Sequence, residues 1–428
     1  MLALSLVGLT ACSTVPEPDP GVAVQKIYRS GAPHTDARGT TRFSYDTQLS
    51  FFPIGLYHAL NGTHFGRSYD FSLLKDARFN LIHYWEGQKL AEVIGPARAA
   101  GLQLMVPEPT LAEVRQFHND PAIWGWYLDE EPSGRYAPDT HSAKLANFAQ
   151  RRNAIHQLDP RRPVFSLDKP AMDDGRRVNW LRWIGASDIV AYFNYPVLTA
   201  EPFRTLDTVR GIPRSLSLAV KASAERKPVL LVVQNFTSTV GWGWPSPRDL
   251  RAMTYAALVH GATGIMYFAY DSFVTRDGEV IGMAPDPVAD YGPTPDFDNS
   301  GKPPLLATEQ DLAASRSLWH ATLALNAELH ALASAILSPT AATDYEVAVT
   351  GKAVSPAPIR TLLKEHNGRW TLIAVNLDDA ALRARITFPV PLQRVDRLFD
   401  KHAPPTVSGG SIEDDFGPFA VRVYAIAR

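Results

Sequence analysis

The sequence predicts an α/β chain: a (β/α)8 TIM barrel over residues 49–338, followed by a small antiparallel β-sandwich over residues 339–428. Three observations predict it. From about residue 50, eight short apolar runs alternate with longer amphipathic ones. Several runs are continuously apolar and rich in Val, Ile and Leu, as strands covered by helices on both faces must be. The last 90 residues lose the helical stretches and keep short strands split by turns such as Asn367-Gly368 and Gly409-Gly410.

The eight runs are Phe51–Leu56, Asn80–Trp85, Gln103–Val106, Ile123–Leu128, Pro163–Leu167, Asp188–Phe193, Pro228–Val233 and Gly264–Tyr270. Helical stretches lie between them, among them Leu90–Ala100, Ser142–Gln157, Pro247–His260 and Glu309–Leu337. Thr308 with Asp311 predicts a capping box for the last helix. The size and order of these units match a barrel. A doubly wound open sheet is disfavoured, because no Gly-rich phosphate loop follows the first strand. In the C-terminal part, Arg360–Glu365, Arg369–Asn376, Leu382–Phe388, Arg394–Leu398 and Ala420–Ile426 read as antiparallel strands.

Composition narrows the function classes. The chain has 428 residues, 45% hydrophobic and 20% charged, which disfavours disorder, collagen and coiled coil. Its 42 basic residues balance 44 acidic ones, and no Lys/Arg run marks a nucleic-acid groove or a polybasic membrane patch. The single cysteine, Cys12, excludes an intramolecular disulfide and a cysteine-rich zinc site.

That cysteine follows an apolar run, Leu2–Leu9, too short to span a bilayer as a structural helix and of the length of a signal-peptide core. Leu9-Thr10-Ala11-Cys12 resembles a bacterial lipobox, although no Lys or Arg precedes the apolar run. The resemblance implies a signal peptide over residues 1–11, lipidation at Cys12 and a Pro-rich tether over residues 12–48. Ser13 resembles the residue that sends such lipoproteins to an outer membrane, so a lipid anchor in a bacterial outer membrane is the expected location. An ordinary signal peptide or a buried cysteine is the competing reading.

A barrel carries its active site at the C-terminal ends of the strands. The expected ends are Tyr57-His58, Trp85-Glu86, Pro107-Glu108-Pro109, Asp129-Glu130-Glu131-Pro132, Asp168-Lys169, Asn194-Tyr195, Gln234-Asn235 and Tyr270-Asp271. Acids and amides stand there beside aromatics. A sugar site needs that mixture: aromatic faces for C–H-rich rings, carboxylates and amides for hydroxyls. On strand 4, side-chain alternation places Asp129 and Glu131 on one face and Glu130 on the other, provided the regular strand persists to Glu131. Crowded carboxylates repel, so one keeps its proton, as a glycosidic leaving oxygen requires. A solvated acidic loop is the alternative.

Trp126-Tyr-Leu-Asp-Glu-Glu131-Pro132 resembles the strand-4 motif of clan A glycoside hydrolases, in which a Glu before Pro is the general acid/base. Asp159-Pro-Arg-Arg-Pro163-Val164 resembles the turn into strand 5 of such barrels. Gln234, Pro247, Arg251, Tyr255 and Gly261–Tyr270 resemble strands 7 and 8 of glycosidase-like members, and residues 410–424 resemble the closing strands of the sandwich domains that follow such barrels. The resemblance implies cleavage of O-glycosidic bonds in an oligo- or polysaccharide, with Glu131 as acid/base. Two departures stand out. Glu130 replaces the Asn usual before that Glu, and Gln234-Asn235 stand where strand 7 usually carries a nucleophilic Glu.

An amide is no carboxylate nucleophile, which leaves three readings. Asp271, Glu86 or Glu108 serves as nucleophile or base, Asp271 favoured because strand 8 neighbours strand 7. Alternatively, Asp129 orients a substrate acetamido group, as the Asp-x-Glu pattern does in substrate-assisted barrels, with Gln234 or Asn194 bonding the sugar. Or the barrel binds glycans without cleaving them. His58, Trp85, Tyr192, Tyr195 and Tyr270 are expected to border the pocket, and the loop residues Trp242 and Trp244 to stack sugars. The long stretch Asp271–Leu306 reads as a lid or subsite wall. With no His-x-His pair and no His-Glu-x-x-His motif, neither a catalytic metal nor another cofactor is expected. Carbohydrate is the expected partner, with no nucleic acid, and no oligomer interface is legible.

Overall fold

The computed structural model describes residues 51–428 apart from 173, 210, 224–226, 275–277, 290–305, 339, 342 and 401–402. The lipobox and tether lie outside the described residues. Eight parallel strands close a barrel: β1 (Ile54–Ala59), β2 (Leu81–Tyr84), β3 (Gln103–Pro107), β4 (Ile123–Glu130), β5 (Val164–Asp168), β6 (Val190–Asn194), β7 (Val229–Gln234) and β8 (Gly264–Phe268). Each pairs with its neighbours in sequence, and β8 closes on β1 through Ile54↔Ile265.

Alternation sorts each strand into two layers. Tyr57, Leu81, Met105, Tyr127, Phe165, Ala191, Leu230, Val232 and Met266 point inward and fill the barrel. Leu56, Ile82, Val106, Leu128, Val190, Leu231 and Ile265 point outward into the core beneath the helices. Gly55 fits this scheme: a Cβ there would stand 2.9 Å from the Cγ of Met266, so the glycine makes room for the methionine on the next strand.

The pattern breaks at two points that matter for the mouth. The register of β4 with β5 shifts between Tyr127 and Asp129, a bulge that reverses which side chains face inward. The register of β1 with β2 also shifts between Leu56 and Ala59, beside His58. β8 ends at Phe268, two residues short of the apolar run, so Tyr270 stands beyond the strand.

Two small sheets border the C-terminal face. One is the hairpin Gly62–His64 with Arg67–Tyr69. The other joins Phe236–Ser238, Ser272–Val274 and Glu279–Gly282. The second holds Ser272–Val274 and Glu279–Gly282 of the stretch expected to be a lid; residues 275–277 and 290–305 lie outside the description. The helix Glu309–Leu337 begins with the expected capping box: the Thr308 hydroxyl accepts from the Asp311 N–H at 3.2 Å, and the Asp311 carboxylate accepts from the Thr308 N–H at 3.0 Å.

The remainder is a β-sandwich. One sheet orders β9 (Glu346–Thr350), β12 (Leu382–Thr387), β15 (Ser411–Phe416) and β14 (Thr406–Ser408); the other orders β10 (Ile359–His366), β11 (Arg369–Asn376), β16 (Val421–Ala427) and β13 (Arg394–Leu398). Leu363, Trp370, Leu372 and Tyr424 of one sheet meet Ala384, Ile386, Ile412 and Phe416 of the other in a shared core. The sandwich is tied to the barrel through Arg251 of the helix Pro247–Val259, which pairs with Glu328 at 3.0 Å and donates to the Val421 carbonyl at 3.1 Å. Among the described residues, no helix is long and apolar enough to cross a membrane.

Candidate active site

The barrel mouth is built on unusual backbone. His58 (φ 61°), Glu108 (φ 41°), Glu131 (φ 47°) and Asp271 (φ 59°) all adopt the left-handed conformation just where β1, β3, β4 and β8 end. Such geometry costs of order 1 kcal/mol or more per non-glycine residue and persists where surrounding structure enforces it, often at functional sites.

The acids of β4 do not fall as alternation predicts. Asp129 and Glu131 do not share the inward face. Because of the bulge after Tyr127, Asp129 turns outward and accepts a hydrogen bond from the Tyr136 hydroxyl. Glu130 turns inward instead: the Tyr57 hydroxyl, which points into the barrel, donates to its Oε1 at 3.4 Å. Glu131 sits at the rim, where its backbone N–H donates to the Leu167 carbonyl at 2.7 Å and its carboxylate pairs with Lys169 Nζ at 2.6 Å. The turn beneath it is held by Asp168, which accepts from the Ser133 hydroxyl at 2.8 Å and the Lys169 N–H at 2.9 Å.

Burial, then Glu131, pushes the Glu130 carboxyl up to about 7. Glu86 keeps 39% of its side chain open at the mouth, yet protein crowds it on most sides, and burial followed by Glu130 pushes it up to about 8. Glu108 adds to both shifts. Four carboxyl groups from the ends of β2, β3 and β4 therefore share one field. Two of them, Glu130 and Glu86, are lifted into the range around neutral pH, which suits proton transfer. Burial also pushes Asp168 up to about 7, against the pull of its hydrogen bonds.

The other expected residues divide. Trp85 is half-buried at the rim, edge-on to Phe65 (5.0 Å) and His64 (5.8 Å) of the first hairpin. His58 stands in the mouth beside Tyr57, Phe268 and Phe273. Tyr195 reaches the mouth, stacked on Phe193 (4.7 Å) and Phe268 (5.7 Å), and Trp242 meets its edge at 6.0 Å.

The rest are spent elsewhere. Tyr192 and Asn194 fall on the outward face of β6, where both bond the Ser215 hydroxyl of a covering helix, at 3.1 and 3.0 Å. Tyr270 packs outward against Tyr69 and Trp319. Trp244 donates to Asp311 at 2.8 Å. Asp271, expected to be the favoured second acid, is buried and held by Arg67 (2.5 Å) and Tyr69 (2.7 Å).

Gln234 is fully buried and its amide is consumed by backbone. The oxygen accepts from the Val197 N–H, and the nitrogen donates to the Val197 and Gly243 carbonyls, each at 2.9 Å. Beyond it, Phe236, Phe273, Val280 and Ala269 close an apolar cluster against Tyr195 and Trp242.

Two residues that matter here are not legible in the sequence. Alternation puts Glu130 on the wrong face because register against β5, not local sequence, creates the bulge. His83 lies on β2 with a fully buried ring stacked on Tyr57 at 4.0 Å, and its Nε2 is 3.4 Å from Glu86 Oε1. Burial pushes His58 down to about 3 and His83 well below the usual histidine range. His58 and His83 are 25 residues apart, so no spacing motif joins them; only adjacency of β1 and β2 does.

Comparison with known proteins agrees with this picture. A family model for glycoside hydrolase family 42, described as β-galactosidase, matches residues 135–280, about a third of the chain and beginning after the β4 acids. Among solved structures, an arginine-to-cysteine mutant of the trehalulose synthase MutB aligns with a TM-score of 0.53 at 11% identity, covering 89% of this chain and 99% of that one. A glutamate-to-glutamine mutant of MutB in complex with the substrate sucrose aligns at 0.50, also with 11% identity and with 89% and 99% covered. At such identity the likeness shows the fold. No curated protein matches the chain. The chain thus resembles the barrel glycoside hydrolases in fold, with a sandwich domain after the barrel and a mouth rich in carboxyl groups.

Proposed function

We propose that the protein is a glycoside hydrolase acting on an oligo- or polysaccharide, with Glu130 as proton donor. The observation that carries this reading is the inward turn of Glu130, against Tyr57 and within the field of three other carboxyl groups. A glycosidic oxygen at the barrel axis takes the Glu130 proton as its bond to the anomeric carbon breaks. Water then bonds to that carbon and gives its proton to another carboxylate of the same field, for which Glu108 and Glu131 are the candidates. Trp85, Tyr195 and Trp242 supply faces for sugar rings. Glu131, paired with Lys169, borders the same space and remains the alternative donor. A panel of oligosaccharides incubated with wild type and with Glu130→Gln tests the reading. New reducing ends from the wild type alone support it, and equal cleavage by both removes Glu130 from the role.

One observation favours a second reading. At the end of β7 the amide is locked by backbone and aromatic side chains follow, so no carboxylate faces the mouth from that strand. A barrel that binds glycans without cleaving them fits this, and would retain oligosaccharides from the panel while releasing no product.

The lipobox-like segment supports one further part of the proposal, a lipid anchor on Cys12 in a bacterial outer membrane. Metabolic labelling with a fatty-acid analogue, lost in Cys12→Ser, checks it.

A further inference from the structure

We infer that His58, His83 and Glu86 form a site for one divalent transition cation of the zinc class, separate from the Glu130 carboxyl. His58 is the second-to-last residue of β1, His83 lies on β2, and Glu86 follows two residues past the end of β2. One nitrogen from each histidine and one carboxylate oxygen all lie within 4.8 Å of one another. His83 Nε2 is 3.4 Å from Glu86 Oε1, and His58 Nε2 is 3.8 Å from Glu86 Oε2. Tetrahedral ligands on metal bonds of about 2.1 Å stand roughly 3.4 Å apart. The His83–Glu86 pair already stands at that separation, and the trio as a whole, within 4.8 Å, has to contract to reach it.

His83 supplies an independent sign. Its ring is completely buried, and neither nitrogen has a hydrogen-bond partner among the described residues. Leaving a buried polar atom unsatisfied costs about 1–3 kcal/mol. A cation held at Nε2 removes that cost at the nitrogen that already faces Glu86. The donor set selects the ion: two imidazoles disfavour magnesium and calcium, the absence of thiolate disfavours the softest ions, and two histidines with one carboxylate suit zinc. The exposed side of Glu86 leaves a fourth position open towards the mouth, for water or a sugar hydroxyl.

This site does not depend on the hydrolase reading. If both hold, an ion bound through Glu86 puts positive charge into the field that Glu86 shares with Glu130 and so favours loss of the Glu130 proton, which makes the loaded chain the less active one.

The test strips the full chain with a chelator and titrates it with zinc chloride by calorimetry, then with cobalt(II) chloride by visible absorption. The result expected is one ion per chain, with a cobalt band typical of tetrahedral nitrogen and oxygen ligands. Glu86→Gln and His58→Asn are each expected to weaken binding at least about tenfold and to lose that band. Asparagine suits the left-handed backbone at position 58, and thermal melts verify that both variants fold. Glu130→Gln is expected to keep the ion whatever becomes of hydrolysis, which separates failure of this site from failure of the proposed activity. A wild-type chain that binds no zinc, or equal binding by wild type and both folded variants, overturns the site.

Discussion

The ends of β4 and β7, three strands apart around one barrel, solve opposite problems. At β4 a bulge inserts an extra residue, turns Glu130 to the axis and leaves Glu131 at the rim with Lys169. At β7 the register stays regular, and Gln234 is fastened through both ends of its amide to the loops after β6 and β7. One end turns a half-buried acid inward; the other buries its polar group and covers it with aromatics. The contrast teaches that residue type at a strand end does not make a site. What decides is whether backbone has already claimed the side chain.

The largest expected effect is at β4. Glu130→Gln keeps the shape and removes the proton, so kcat should fall at least about 10³-fold with KM little changed. Glu131→Gln in the same assay should cost about tenfold or less. A reversal of that order would mean that the bulge does not choose the donor.

The pH profile sharpens the same point. A donor must be protonated, so kcat should decline as pH rises through about 7, the value to which burial and Glu131 lift Glu130. The sign for stability is the same. The folded value lies above the ordinary 4.5, so ionisation favours unfolding, and stability present at lower pH is lost as pH rises through about 7. Glu130→Gln should therefore melt higher than wild type at pH 8, by on the order of 2 °C, with the gap shrinking by pH 5. Scanning calorimetry at both pH values reads this.

At β7 the prediction is a failed repair. Gln234→Glu places a carboxylate where related barrels carry their nucleophile, yet it removes the donor that serves the Val197 and Gly243 carbonyls and buries a charge. It should destabilise by about 2–4 kcal/mol in urea titration and add no activity. A gain in rate would show that the loops can release position 234.

The smallest effect is expected at Asp271, whose Oδ2 is held by both Arg67 and Tyr69. Asp271→Asn should cost about 1–3 kcal/mol of stability and lower kcat less than about fivefold. A loss of activity as large as that of Glu130→Gln would return Asp271 to the chemistry.

The barrel was legible because parallel strands buried on both faces must be continuously apolar, as Val229–Val233 and Ile265–Tyr267 are. The sandwich was legible through its turns. The site was legible only as a neighbourhood: Glu86, Glu108 and the β4 acids are at the mouth, but the facing of Glu130 depends on register with Ser166 and Leu167 of β5. Tyr192 and Asn194 obey simple alternation, set by Ala191 and Phe193 pointing inward, and so face the helices. The His58–His83–Glu86 grouping arises from adjacency of two strands and leaves no trace in spacing.

The most direct measurement is titration of the side-chain carboxyl resonances of 13C-labelled glutamate, wild type against Glu130→Gln. The account predicts a carboxyl with a midpoint near 7 that disappears in the variant. If every glutamate titrates in the ordinary range below 5, Glu130 holds no proton at neutral pH, and the β4 bulge does not create a proton donor.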